Sequence, residues 1–211
     1  MRRGEIMCGR FVLLTDLSEI TESFNIQKVA CEYRLGNNLS PGNRIIAVIR
    51  EEDQNILVDF CWGLIPSWAK DPLIGKKMFN ARAETVSEKP SFRNAFRNRR
   101  CLIVADGFYE WQEMGKIKTP FYFRLKTGKP FGFAGLYETW TSPDQQQTHT
   151  CTIITTEAND LIIPVHDRMP VIVPKDGEGE WLDPEHLNPK GLLSLLKPYP
   201  AEEMEMADVM V

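Results

Sequence analysis

The chain has 211 residues, 43% hydrophobic and 26% charged, with a formal net charge of −4. That suits one soluble domain with a buried core. No apolar run approaches the roughly 18–20 residues of a membrane span, and Met1-Arg2-Arg3-Gly4-Glu5-Ile6 lacks the apolar stretch of roughly 7–15 residues of a secretory signal, so a cytoplasmic protein is expected. Five cysteines (Cys8, Cys31, Cys61, Cys101, Cys151) are widely spaced without a CxxC, which argues against a disulfide framework and a zinc site. The three histidines show no ligand spacing, and neither a metal nor a cofactor is expected.

In chain order, Asp16–Asn25 reads as a short helix capped by Thr15 or Asp16, with Leu17, Ile20 and Phe24 at helical spacing. Arg44–Arg50 and Asn55–Trp62 are apolar, β-branched runs around Glu51-Glu52-Asp53-Gln54, the pattern of a hairpin. Ser91–Asn98 reads as a helix with Phe92 and Phe96 inward. Strands are expected at Arg100–Ala105, Pro120–Leu125, Pro130–Trp140, Thr148–Thr155 and Met169–Val173. Short helices are expected at Thr156–Ile163 and at Asn188–Lys197, where Pro189 suits a first turn. The sum is a single α+β domain around a curled, barrel-like, mostly antiparallel or mixed sheet.

Charge is unevenly spread. Lys76–Arg100 holds eight basic residues against two acidic ones, and Asp176–Val211 nine acidic against two basic. A basic middle on an acidic protein can form a phosphate-binding face, although scattered solvated charges would give the same counts.

Four segments put reactive or polar groups beside turn formers and aromatics: Met7–Phe11, Phe79–Thr85, Ala105–Trp111 and Val165–Pro170. Singly, each has an ordinary explanation: a buried cysteine, a capping asparagine, a surface glutamate, a structural histidine. Their order is more specific. Met7-Cys8-Gly9-Arg10-Phe11, Pro41-Gly42, Trp62-Gly63-Leu64-Ile65-Pro66-Ser67-Trp68, Asn80-Ala81-Arg82-Ala83-Glu84-Thr85, Gly107-Phe108-Tyr109-Glu110-Trp111 and His166-Asp167-Arg168-Met169-Pro170 together closely resemble the SRAP family, the SOS response-associated peptidases.

The resemblance implies a protein that binds single-stranded DNA and crosslinks covalently to abasic sites. It gives Cys8 the role of nucleophile and Asn80 that of positioning it. Glu110 becomes the proton carrier, and His166 a second acid/base near a sugar or phosphate oxygen. Phe108 and Trp111 would give Glu110 an apolar setting, which suits a carboxyl to proton transfer. Arg10, Arg82 and Arg168 become candidate phosphate contacts, and Thr155 a further backbone contact. Trp62, Trp68 and Trp111 join the DNA-binding set. Trp62 and Trp68 would stack on a base beside the lesion, core packing being the alternative for both. An N-terminal cysteine carries an amine and a thiol two carbons apart, so it can condense with an aldehyde and close a thiazolidine. Partners are abasic single-stranded DNA and candidate replication or repair machinery, with the protein a monomer.

Two departures from the family pattern stand out. Residues 1–7 precede Cys8, so either this leader is removed by self-cleavage or translation begins at Met7. The second is favoured, because Arg2-Arg3-Gly4-Glu5 can be encoded by a purine-rich ribosome-binding stretch. The domain over residues 8–211 ends in an acidic, Met-rich tail, expected to lack a closing strand and to be truncated. Two other functions stay open: a cysteine peptidase or amidohydrolase using Cys8, His166 and Asn80, and a non-catalytic module for a modified base.

Overall fold

The computed structural model describes residues 9–208 apart from 116 and 187. Its centre is a closed ring of five strands. β4 (Arg44–Glu51) and β5 (Gln54–Trp62) form the expected hairpin, with Glu51 opposite Gln54 and the two turn residues, Glu52 and Asp53, both at positive φ (48° and 61°). Such a two-residue turn matches the right-handed twist of the strands it joins. β7 (Arg100–Ala105) lies against β4 and against β10 (Phe131–Thr141), which pairs with β11 (Gln147–Glu157). β11 then meets β5 in parallel, Thr150 opposite Cys61 and Cys151 opposite Trp62, and the ring closes.

Both faces of these strands are buried, which is why β7 reads as an unbroken apolar run. Cys101, Ile103 and Ala105 join one core cluster, while Leu102 and Val104 join another. The first is shared with a second sheet in the order β13-β9-β8-β1-β3, comprising β1 (Arg10–Leu13), β3 (Gly36–Leu39), β8 (Gly107–Met114), β9 (Ile117–Leu125) and β13 (Met204–Ala207). Phe11 and Phe108 of this sheet meet Phe133 of the barrel edge to face, with centroids 5.9 Å apart in each pair. The second cluster is covered by α1 (Leu17–Ser23), α2 (Arg93–Asn98), α3 (Glu178–Leu182) and α4 (Pro189–Ser194), through Ile20, Phe96, Trp181 and Leu192. Asp16 caps α1, accepting from the Glu19 N–H.

Two expectations are corrected. Thr156–Ile163 is not a helix: Thr155 and Thr156 stay in β11, opposite Pro170 and Met169 of β12 (Arg168–Pro170), and the chain then turns around Asn159, whose Oδ1 accepts from Leu161 and Ile162. The acidic tail does carry a closing strand. β13 pairs with β9, and Met204 is buried in the barrel-side core while Glu205 faces Arg124.

Arg100, counted above with the basic segment, is buried and, among the described residues, forms no ion pair. It donates to the carbonyls of Phe96 (3.0 Å), Arg97 (2.6 Å), Trp181 (2.8 Å), His186 (3.3 Å) and Asp183. Desolvation lowers its pKa, and the carbonyls at the ends of α2 and α3 supply the compensating dipoles. Arg100→Met should leave these carbonyls unpaired and cost about 3 kcal/mol of stability, read as a lower urea midpoint with an unchanged slope.

Candidate active site

β1 and β8 build the first wall. Arg10, Phe11 and Val12 stand opposite Tyr109, Phe108 and Gly107. Asp106 fixes that register: its N–H donates to Val12 O, and its carboxylate accepts from Leu14 N (2.5 Å), Thr15 N (2.9 Å) and Thr15 Oγ1 (2.7 Å). Side chains alternate along a strand, so Glu110 shares the barrel-side face of Phe108. It is 1% exposed and lies opposite Phe121, which packs on the same cluster as Phe108. Trp111 faces the other way, with its ring 6.2 Å from that of Tyr109. The apolar setting of Glu110 therefore comes from Phe108 and Phe121 and not from Trp111.

The second wall is β6 (Asn80–Arg82), parallel to β11, with Asn80 opposite Ile153. Phe79, just before it, accepts hydrogen bonds from the Ile153 amide (3.1 Å) and the Trp62 indole (2.8 Å). The Asn80 Oδ1 is buried. Trp62 is 1% exposed and packs against Phe11 and Phe79, with centroids 5.4 and 6.4 Å away. It is a core residue and cannot stack on a base, contrary to the first alternative above. Trp68, six residues beyond the end of β5 and 59% exposed, is open to solvent.

The third wall is the turn before β12. The mostly buried His166 ring accepts from Arg168 N–H at Nδ1 (3.0 Å). Leu161 and Val165 of this turn join the cluster of Phe11, Trp62 and Phe108, and Gln112 of β8 donates to Pro164 O at 2.8 Å. The segments bearing Glu110, Asn80 and His166 thus surround one aromatic cluster. Cys8, two residues ahead of β1, lies outside the described residues.

The candidate DNA contacts divide. Arg10 donates to Asn38 Oδ1 at 2.9 Å and keeps partial exposure, and Arg82 is exposed. Thr155 is buried between Arg82 of β6 and Pro170 of β12 and cannot reach a phosphate backbone. The Arg168 guanidinium is held by Glu84 and by the carbonyl of Thr155, and its side chain is 12% exposed. Asp106 and Glu84 are the residues that motif reading passed over, although both lie inside the motifs.

Among the described cysteines, burial pushes every thiol up, Cys31 to about 11 and Cys61, Cys101 and Cys151 in the same direction. A thiol so shifted is a poor nucleophile at neutral pH. Among the described residues no group of three His, Cys, Asp or Glu could hold a metal ion.

These features define a class of protein: a closed mixed β-barrel with a buried glutamate, an asparagine and a histidine on segments around the strand that Cys8 precedes. The family model for SOS response associated peptidase (SRAP) matches residues 7–211, and the chain belongs to that family. The abasic site processing protein YoqW of Bacillus subtilis is 48% identical over 206 residues, 96% of this chain and 92% of that one. The abasic site processing protein HMCES of Xenopus tropicalis is 32% identical over 171 residues, covering 70% of this chain and 51% of that one. A crystal structure of a protein from Bacteroides thetaiotaomicron superposes with a TM-score of 0.85 at 29% identity, over 94% of this chain and 90% of that chain.

Asp106→Ala should remove three hydrogen bonds that hold the end of β1, lowering stability by about 2–3 kcal/mol in chemical unfolding. Trp62→Phe should cost about 2–3 kcal/mol in the same measurement, from the lost indole hydrogen bond and the cavity left in the core.

Proposed function

We propose that the protein processes abasic sites in single-stranded DNA, capturing the open-chain sugar aldehyde on Cys8 as a thiazolidine. The observation that carries this reading is the pairing of β1 with β8. The strand that follows Cys8 in sequence lies against the strand that carries the water-excluded Glu110. The names of the relatives point the same way.

The chemistry balances with residues of this chain. The Cys8 amine adds to the sugar carbonyl carbon, and loss of one water gives an imine. The Cys8 sulfur then adds to the imine carbon while the thiol proton passes to nitrogen, closing a five-membered ring. Holding both nucleophiles on one residue makes the second step intramolecular, with a large gain in effective molarity. An α-amine has a reference pKa of about 7.7–8.0, so part of it is neutral at pH 7 without any shift. Glu110 moves protons to the sugar ring oxygen and the departing hydroxyl, and as an acid it serves the reverse reaction. Asn80 positions Cys8, and His166 meets a sugar or phosphate oxygen. The mechanism needs a free amine, hence a mature chain that begins at Cys8; the family match begins one residue earlier, at Met7.

Exposed Lys76, Lys77, Arg82, Lys89, Arg93 and Arg97, together with Arg10, supply the phosphate contacts, and Trp68 stacks on a base beside the lesion. Single-stranded DNA leaves the lesion open on the side where a duplex would cover it. The protein acts as a monomer in the cytoplasm, beside the replication and repair machinery.

Incubation with an abasic single-stranded oligonucleotide should give a covalent band that Cys8→Ala abolishes, and intact mass should show a chain starting at Cys8. A crosslinking species that retains Met1–Met7 would refute the thiazolidine route. Cleavage of unrelated peptides without a band would indicate a peptidase; salt-sensitive binding alone would indicate a non-covalent module. Trp68→Ala should weaken single-stranded DNA binding by about tenfold, one stacking contact, with no change in thermal stability.

A further inference from the structure

Between β5 and β6 the chain makes an excursion over residues 63–79, in which Trp68 stands open to solvent. The excursion is closed at its base. Gly63 N donates to Cys151 O at 2.8 Å and Leu64 N to Met78 O at 3.0 Å, so the outgoing limb is tied both to β11 and to the returning limb. Just beyond, the limbs touch backbone to backbone. A Cβ on Gly63, at φ 139°, would stand 2.7 Å from Gly75 O, and one on Gly75 would stand 2.8 Å from Gly63 O. Such a neck, with the loop packed by its own side chains, makes a compact and ordered unit.

The packing is completed from outside. Ile65, Ala69 and Ile74 gather on Trp140 of β10, which is 7% exposed. The Trp140 indole also donates from Nε1 to Ala69 O at 2.8 Å. Trp68 precedes Ala69 and occupies the third position of the turn that Ala69 N closes on Pro66 O at 2.9 Å. Among the described residues, the Trp140 bond is the one hydrogen bond that ties residues 66–70 to the barrel. One side chain therefore supplies both the apolar floor of this turn and its polar tether, and Trp68 is left exposed on a braced support.

We infer that Trp140 is a positioning residue: by bracing the Pro66–Ala69 turn from beneath, it holds Trp68 ready for a base before DNA arrives. A stacking side chain on a preordered turn loses less freedom on binding than one on a loose loop, and the difference appears as affinity. The DNA half of this statement rests on Trp68 stacking beside the lesion; the bracing does not.

The test uses the full chain and Trp140→Phe, which keeps an aromatic ring and removes the N–H. Without DNA, hydrogen exchange over residues 64–75 should quicken by about tenfold, with exchange in β7 unchanged. Affinity for a single-stranded oligonucleotide should fall by about fivefold, within the roughly tenfold loss expected for Trp68→Ala. The salt slope should stay as in the parent, because no phosphate contact is removed. The crosslinking rate at saturating abasic DNA should also stay. In a Trp68→Ala background, Trp140→Phe should cause no further loss of affinity. Unchanged exchange would overturn the proposal, as would an equal affinity loss in both backgrounds. So would a Trp140→Phe variant that binds like the parent while Trp68→Ala binds weakly. If Trp140→Phe fails to fold, Gly75→Ala, which crowds the neck, carries the same readouts. If Trp68→Ala itself binds like the parent, the stacking reading is refuted, and the exchange data still decide whether Trp140 braces the turn.

Discussion

The site depends on where β1 lies along β8. β1 has four residues, too few for its own ladder to hold one register firmly, and a slip of one residue would turn Phe11 outward and Arg10 inward. Asp106 prevents the slip by gripping the backbone at Leu14 and Thr15, just past the strand. Gly107 sets the spacing on the other side of β8: a Cβ there would stand 2.6 Å from the Phe123 carbonyl oxygen and collide with the Tyr122 hydroxyl. Two adjacent residues therefore fix both neighbours of β8, and Glu110, three positions on from Gly107, inherits its place.

Burial sorts charges that look alike in the sequence. Of the basic residues between Lys76 and Arg100, Arg100 is enclosed by helix-end carbonyls and Arg99 pairs with Glu138 at 2.7 Å, so neither is free for a polyanion. Lys76, Lys77, Arg82, Lys89, Arg93 and Arg97 remain on the surface. Cysteines are sorted by the same term. Desolvation raises every described thiol, which disfavours those four cysteines as nucleophiles at neutral pH.

The parts legible in the sequence are those where one periodicity dominates. The β4–β5 hairpin, β7, β10 and α1 fall within a residue or two of their expected limits, because β-branched runs and helical spacing are unmixed there. β8 was not legible as a strand. Gly107 through Glu110 are all buried, with Phe108 and Tyr109 on opposite faces, so no alternation appears. β3 and β6 are too short to show a period. The candidate Glu110, Asn80 and His166 came from motif order, which carries no information about facing. That is why Trp62 and Trp68, members of one motif, could not be told apart. The difference arises at Trp62, where β5 closes onto β11 and takes its last side chain inside, while the chain beyond leaves the sheet.

That closure also explains how distant segments are brought to one place. Along β11, Thr150 and Cys151 pair with β5, and two residues later Ile153 pairs with Asn80. Thr155 pairs both with Arg82 and with Pro170, and a residue paired twice must have its partners on opposite edges. β6 and β12 therefore flank the same strand, one leading from Asn80 and the other following His166. β11 is buried through this stretch and pinned on both sides, so it acts as a rigid spacer between them. The Glu84–Arg168 fork spans that spacer and adds the Thr155 carbonyl as a third anchor. A candidate site carried by three separate segments keeps its geometry only if its supports cannot shift independently. Here one central strand, crossed by one ion pair, removes that independence for two of the three, and Gln112, donating to Pro164, ties in the third.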